Sequence, residues 1–203
     1  MRNRNTRWTS VCRGSALLAT WLLVLTPLAS ETFAVESTAT DQAYNFHLVD
    51  QDHQPVQLSD FHGKVVLVSY IFTRCPMPSM CPLVTSKMAQ VQAAVNKTLK
   101  NQVEFVSISF DPAYDTPEVL KEYSERYGAD FSNWQFLTGD AAEIQAAAQD
   151  ANVIYEDMGE GNFTHNMNTV LIAPDGTVRQ RFHGSGWNVK EIVAGIRAAI
   201  GGH

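Results

Sequence analysis

The sequence predicts an α/β domain in which a central mixed β-sheet is flanked by helices and preceded by an N-terminal β-hairpin. Three observations carry this expectation. The runs Lys64–Phe72 (KVVLVSYIF) and Val103–Phe110 (VEFVSISF) are almost continuously apolar and rich in β-branched residues, the pattern of strands buried on both faces. A segment with helical apolar spacing follows each of them. Downstream, Pro174-Asp175-Gly176 separates Thr169–Ala173 from Thr177–Phe182, a strong signal for an antiparallel hairpin.

Taken in order, Tyr44–Asp50 and Pro55–Leu58 read as two short strands around the polar turn Gln51-Asp52-His53-Gln54. The loop Thr73–Pro82 ends the first buried strand. Pro82 stands where a first helical turn accepts proline, because the missing N–H would be unpaired there anyway. Met88, Val91, Val95 and Leu99 then keep helical spacing to about Lys100. Thr116-Pro117 supplies a cap and a first-turn proline for a helix that should run to Tyr127 and stop at Gly128. Trp134–Leu137 reads as a strand, Asp140 as the cap of a helix to Ala151, and Val153–Glu156 as a further strand. Asp157–Asn168 is expected to be a loop, and Asn188–Ile200 a closing helix. This order is that of a thioredoxin-like fold, here with a hairpin extension at its start.

The first 34 residues stand apart from that domain. Arg2, Arg4, Arg7 and Arg13 form a charged head, Ala16–Ala29 is apolar, and Thr32-Phe33-Ala34 offers a small-x-small cleavage pattern. This is the layout of a secretory signal; the alternative is an uncleaved N-terminal membrane anchor. The apolar run falls short of the roughly 20 residues a span requires and contains Pro27, which favours cleavage. Residues 35–42 form a polar lead-in, and 43–203 the folded domain. The domain is thus expected to be exported to the periplasm, soluble or anchored to the outer face of the inner membrane. From Val35 onward it carries 11 basic and 20 acidic residues, a net of −9 with neutral histidines. Such a balance excludes a nucleic-acid binder and leaves no polybasic patch for anionic lipid, so contact with membrane is expected only through the N-terminal segment.

Cys12 lies in the signal-like stretch, so the domain holds two cysteines, Cys75 and Cys81, in one loop. A disulfide across so short a loop adds little loop-closure entropy, and a domain of this size has core enough without one. Chemistry is the better motive. The loop Thr73-Arg74-Cys75-Pro76-Met77-Pro78-Ser79-Met80-Cys81-Pro82 joins the carboxyl end of a buried strand to the amino end of a helix, where α/β folds place their sites. The helix N-terminus should favour a thiolate at Cys81, and Arg74 should add positive field.

Of the six histidines, His47, His53 and His62 fall in the hairpin region, His203 is terminal, and His183 follows the last strand as a turn residue. His165 differs, because it precedes a strand that this fold brings beside the cysteine loop. Two soft thiolates and one imidazole suit Cu(I) and can also hold Cu(II), whereas zinc would want a fourth ligand. Met77 and Met80 are thioethers that either serve as weak auxiliary copper ligands or pack the loop.

With these residues in hand, the sequence resembles the Sco/SenC family, periplasmic or mitochondrial inner-membrane copper proteins used in assembling cytochrome c oxidase. The resemblance runs through Leu58-Ser59-Asp60-Phe61-His62-Gly63-Lys64, the cysteine-proline loop, Ser109-Phe110-Asp111-Pro112-Ala113-Tyr114-Asp115-Thr116-Pro117, Leu137-Thr138-Gly139 and His165. It implies copper binding by Cys75, Cys81 and His165, support from the Asp111–Asp115 loop with Asp111 the main contributor, and a copper-receiving partner such as a cytochrome c oxidase subunit. The family separates its cysteines by three residues, whereas Pro76, Met77, Pro78, Ser79 and Met80 intervene here, an enlarged Cys-x5-Cys loop.

The main rival is a thiol–disulfide oxidoreductase that keeps a partner's copper-site cysteines reduced. Against it stand the spacing and the segment Asn166-Met167-Asn168-Thr169, which lacks the proline that thioredoxin-type reductases carry there. A peroxidase would want a threonine at the position of Phe72.

Overall fold

The structure, a computed structural model, describes residues 45–201. The signal-like stretch, the lead-in, Tyr44 and His203 lie outside the described residues. The elements are β1 (His47–Val49), β2 (Pro55–Gln57), β3 (Val65–Ile71), α1 (Cys81–Val95), β4 (Val103–Ser109), α2 (Pro117–Arg126), β5 (Trp134–Leu137), α3 (Ala141–Asp150), β6 (Tyr155–Asp157), β7 (Phe163–His165), β8 (Asn168–Ile172), β9 (Val178–His183) and α4 (Val189–Gly201). The central sheet runs β5-β4-β3-β8-β9, with β5, β4 and β3 parallel and β8 and β9 antiparallel. This is the mixed, thioredoxin-like sheet that the strand order predicts.

Every residue of β3, β4 and β8 is buried, as their largely apolar runs lead one to expect. Two serines inside this core are satisfied mutually: Ser69 Oγ lies 3.0 Å from Ser107 Oγ, which also accepts from Trp134 Nε1. The β1–β2 hairpin closes the free edge of β5. Val49 and Thr138 exchange backbone hydrogen bonds of 2.8 and 2.9 Å, and Gln51 Oε1 accepts from the Phe136 amide.

Two expectations change. α1 ends at Val95 rather than Lys100, because the amides of Thr98 and Leu99 both turn back to the Val95 carbonyl. Asn96, its cap, gives its side chain to Asp130 and Asn133 instead of continuing the helix. The segment 157–168 is not a plain loop: β6 and β7 form a two-stranded antiparallel ribbon pairing Tyr155 with His165 and Asp157 with Phe163. Its turn places Gly159, Glu160 and Gly161 all at positive φ, so two glycines relieve most of the cost.

Candidate metal centre

β3 delivers Phe72, Thr73 and Arg74 to the end of the sheet where α1 begins. Asp115 holds this start of the loop in place. It is fully buried and accepts from the Thr73 amide, the Thr73 hydroxyl and Ser109 Oγ. Burial pushes its carboxyl up from the ordinary range, and these three donors oppose that shift.

Arg74 reaches sideways. Its Nε and Nη2 donate to Asp111 Oδ2 at 3.0 and 2.6 Å, and its Cζ lies 4.1 Å from the centroid of the Tyr114 ring. The same guanidinium rests on Gly161 at the turn of the β6–β7 ribbon, where an added Cβ would come within 2.3 Å of Nη1. Arg74 therefore touches both the Asp111–Asp115 loop and the ribbon. The sequence suggests positive field for the cysteines, but Asp111 takes up that charge. Asp111 itself is buried, so it supports the site through Arg74 rather than by facing the sulfurs.

Beyond Arg74, the Cys75 amide donates to the Phe72 carbonyl and the Met80 amide to the Met77 carbonyl, two tight turns that fold the enlarged loop back on itself. Met80 caps α1 and Cys81 opens it, with Pro82 in the first turn as expected. The result is two free thiols in different surroundings, Cys81 fully buried and Cys75 half-buried. Met77 stands 51% exposed at the rim.

The ribbon brings the third group. Phe163 and His165 alternate onto one face of β7, and Tyr155 lies opposite His165 across the pair. Together they pack on Phe72 and Phe110: Phe110 stacks on Tyr155 with centroids 4.9 Å apart, while the His165 ring meets Phe72 edge-on at 5.6 Å and Phe110 at 5.0 Å. His165 Nδ1 lies 2.8 Å from the Asn166 carbonyl, which can only accept. The proton therefore sits on Nδ1, and Nε2 keeps its lone pair.

One ligand atom from each of Cys75, Cys81 and His165 lies within 4.8 Å of the others, and no fourth His, Cys, Asp or Glu among the described residues joins the group. A cavity of about 260 Å³ opens beside them, lined by Cys75, Met77, Met80, Phe163 and His165. The electrostatics divide the pair. A hydrogen bond from the Cys81 thiol lowers Cys75 to about 5 against the opposing effect of burial, helped by the Met77 and Cys81 backbone and by His165. That same hydrogen bond, followed by burial, pushes Cys81 strongly upward. The bond to Cys75 and complete burial thus work against the thiolate that the helix N-terminus favours at Cys81, while Cys75 is held low.

The sequence singles out the three candidate ligand side chains but not the parts that position them. Asp115, Phe110, Phe163, Tyr155 and Gly161 carry no chemistry of their own. One signal was available: Tyr155/Asp157 and Phe163/His165 alternate about Gly159 and Gly161, a miniature hairpin pattern too short to stand out.

A family model for SCO1/SenC matches residues 34–201. The chain is 33% identical over 142 residues to the SCO1 protein homolog of Bacillus subtilis (strain 168), which covers 68% of this chain and 72% of that one. In structure it is similar to BsSco, a member of the Sco family of cytochrome c oxidase assembly proteins in which a disulfide switch has been identified. That likeness has 30% identity and a TM-score of 0.68, with 78% of this chain and 92% of that one covered. It is similar also to Bradyrhizobium japonicum ScoI with copper bound, at 26% identity and a TM-score of 0.64, covering 76% of this chain and 97% of that one. The chain belongs to the SCO1/SenC family.

Proposed function

We propose that this chain is an exported copper-binding protein that holds its cargo with Cys75, Cys81 and His165 and supplies copper to a partner, the copper site of cytochrome c oxidase. The convergence of one ligand atom from each of three separated segments within 4.8 Å carries this reading. The donor set fits the ion. Two soft sulfurs and one imidazole nitrogen make the low-coordinate set that Cu(I) accepts, and zinc lacks a fourth ligand. Asp111 is engaged by Arg74 and supplies none. The His165 tautomer, set by the Asn166 carbonyl, leaves Nε2 as the coordinating nitrogen. Two relatives support the reading: ScoI binds copper in its solved structure, and BsSco belongs to a family of oxidase assembly proteins.

Titration of reduced protein with Cu(I) against a competing chelator tests this. The expected result is a tight one-to-one complex that Cys75→Ser or Cys81→Ser abolishes and His165→Ala weakens about tenfold or more. Unchanged affinity in the cysteine variants would overturn the assignment.

A second reading has its own observation. A half-buried, acidic Cys75 beside a buried, protonated Cys81 is the asymmetry of an attacking and a resolving thiol. In that role Cys75 attacks a partner disulfide, Cys81 resolves the mixed disulfide, and two electrons pass to the partner as Cys75–Cys81 closes. Catalytic reduction of a partner disulfide by metal-free protein, unaffected by His165→Ala, would favour it.

Export rests on the N-terminal segment, which lies outside the described residues; among those described, no helix is long and apolar enough to cross a membrane.

A further inference from the structure

The cavity beside the cysteines has a neighbour. A second space of about 460 Å³ lies on the other side of Met80 and His165, which line both. Its remaining wall includes Met167 and His183. None of its lining residues carries a carboxylate or an ammonium group, so it offers nothing to a hard cation.

His183 is held much as His165 is. Its Nδ1 lies 2.8 Å from Asn168 Oδ1. The orientation of that amide is settled independently, because Asn168 Nδ2 donates to the carbonyls of Ala151 and Asn152 at 3.0 and 2.7 Å. Oδ1 therefore faces His183 and accepts, the proton sits on Nδ1, and among the described residues nothing bonds to Nε2. An imidazole with one nitrogen anchored by a buried amide and the other bare is the arrangement that orients metal-ligating histidines. Met167 is tied to the same place: its carbonyl accepts from the Gly184 amide at 2.7 Å, immediately after His183. The cysteine loop completes the set, since Met80 is the last of the five residues between the cysteines.

We propose that Met80, Met167 and His183 form a second, weaker Cu(I) site, a transfer station next to the cysteine site with one ligand drawn from the cysteine loop. The inference rests on the copper reading of Cys75, Cys81 and His165. Two neutral thioethers and an imidazole favour Cu(I) over Cu(II) and hold it less tightly than thiolates do. Passage from station to cysteines is ligand exchange. Each copper–thioether bond that breaks is replaced by a copper–thiolate bond, the bond to His183 gives way to one to His165, the Cys81 proton leaves to solvent, and the copper stays Cu(I) throughout. Met80 and His165, common to both cavities, mark the boundary between the two sites.

The test is a Cu(I) titration of reduced protein with a weak competing chelator, run alongside NMR of methyl-13C methionine. Two equivalents are expected, the second shifting the methyl signals of Met80 and Met167. His183→Ala and, without touching the Asn168 network, Met167→Leu should each weaken the second equivalent about tenfold or more and leave the first nearly unchanged. Cys75→Ser with Cys81→Ser should remove the first and keep the second. A single equivalent in the wild-type protein, a second one indifferent to both His183→Ala and Met167→Leu, or still methyl signals would overturn the station. Survival of the first equivalent in the cysteine variant would instead overturn the cysteine reading, while the His183 and Met167 variants would still decide the station.

Discussion

The cysteine loop is tied to its surroundings by charge and hydrogen bonds, whereas the β6–β7 ribbon that carries His165 has hydrogen bonds from Asn166 at its base and is otherwise tied by aromatic faces. Asp115 grips Thr73 and Asp111 grips Arg74 on the sulfur side. On the nitrogen side, Phe163, Tyr155 and His165 lean on Phe72 and Phe110. Buried, directional bonds to a carboxylate define a position; ring packing tolerates sliding. The ribbon is also short, two strands of three residues, with an exposed turn. The difference implies that the sulfurs are the fixed wall of the site and the imidazole the movable one, a division suited to holding an ion and then letting it go.

The largest expected effect comes from the aromatic seat. Phe110→Ala should cost about 3–5 kcal/mol in urea unfolding, and hydrogen exchange should show ribbon amides opening well before those of β3. Equal loosening of Thr73–Cys75 would break the division between the two walls.

Asp115→Ala comes next, because it leaves the Thr73 amide and two hydroxyls without their acceptor. A loss of about 2–3 kcal/mol is expected, with faster exchange at Thr73 and the ribbon spared. Denaturant midpoints and exchange rates check both parts.

Gly161→Ala probes the one guanidinium that bridges the two walls. The added methyl meets Arg74 at 2.3 Å and needs φ near +77°, so a cost of about 1–2 kcal/mol is expected. The same change displaces Arg74 from the ribbon turn. Removal of the side chain in Arg74→Ala relieves the clash, so the double variant should recover part of the loss; additive losses would show that the contact does not couple the walls.

The smallest effect concerns protonation alone. With Cys75 lowered to about 5, its alkylation in metal-free reduced protein should rise between pH 4 and 6 and stay flat above that. An ordinary thiol would still be gaining about tenfold per pH unit there. Because the Cys81 thiol is the leading cause, Cys81→Ala should move the midpoint upward. A midpoint near 8 in the wild-type protein would remove the asymmetry between the cysteines.

How legible this was in the sequence follows the same division. The central strands declared themselves because β3, β4 and β8 are buried on both faces and so are written in largely apolar runs. The sulfurs declared themselves because few reasons exist for two cysteines in one loop. His165 was recognisable as a residue but misplaced as to its element, since β6 and β7 are too short for periodicity to register. The contrast between the two cysteines was not legible, because the surroundings of Cys81 are completed from far along the chain: Thr85, which donates to the Cys81 carbonyl, lies 2.9 Å from the Tyr123 hydroxyl of α2, 38 residues on. Arg74 was misread for a related reason: Asp111, its partner, lies 37 residues away.

Copper K-edge X-ray absorption, recorded on reduced protein with less than one equivalent of Cu(I), tests the three-residue centre most directly. The account predicts two sulfur neighbours and one nitrogen in the wild-type protein, and two sulfurs without that nitrogen in His165→Ala. An unchanged nitrogen signal in His165→Ala, or a third sulfur from Met77 or Met80 where the nitrogen should be, would contradict it.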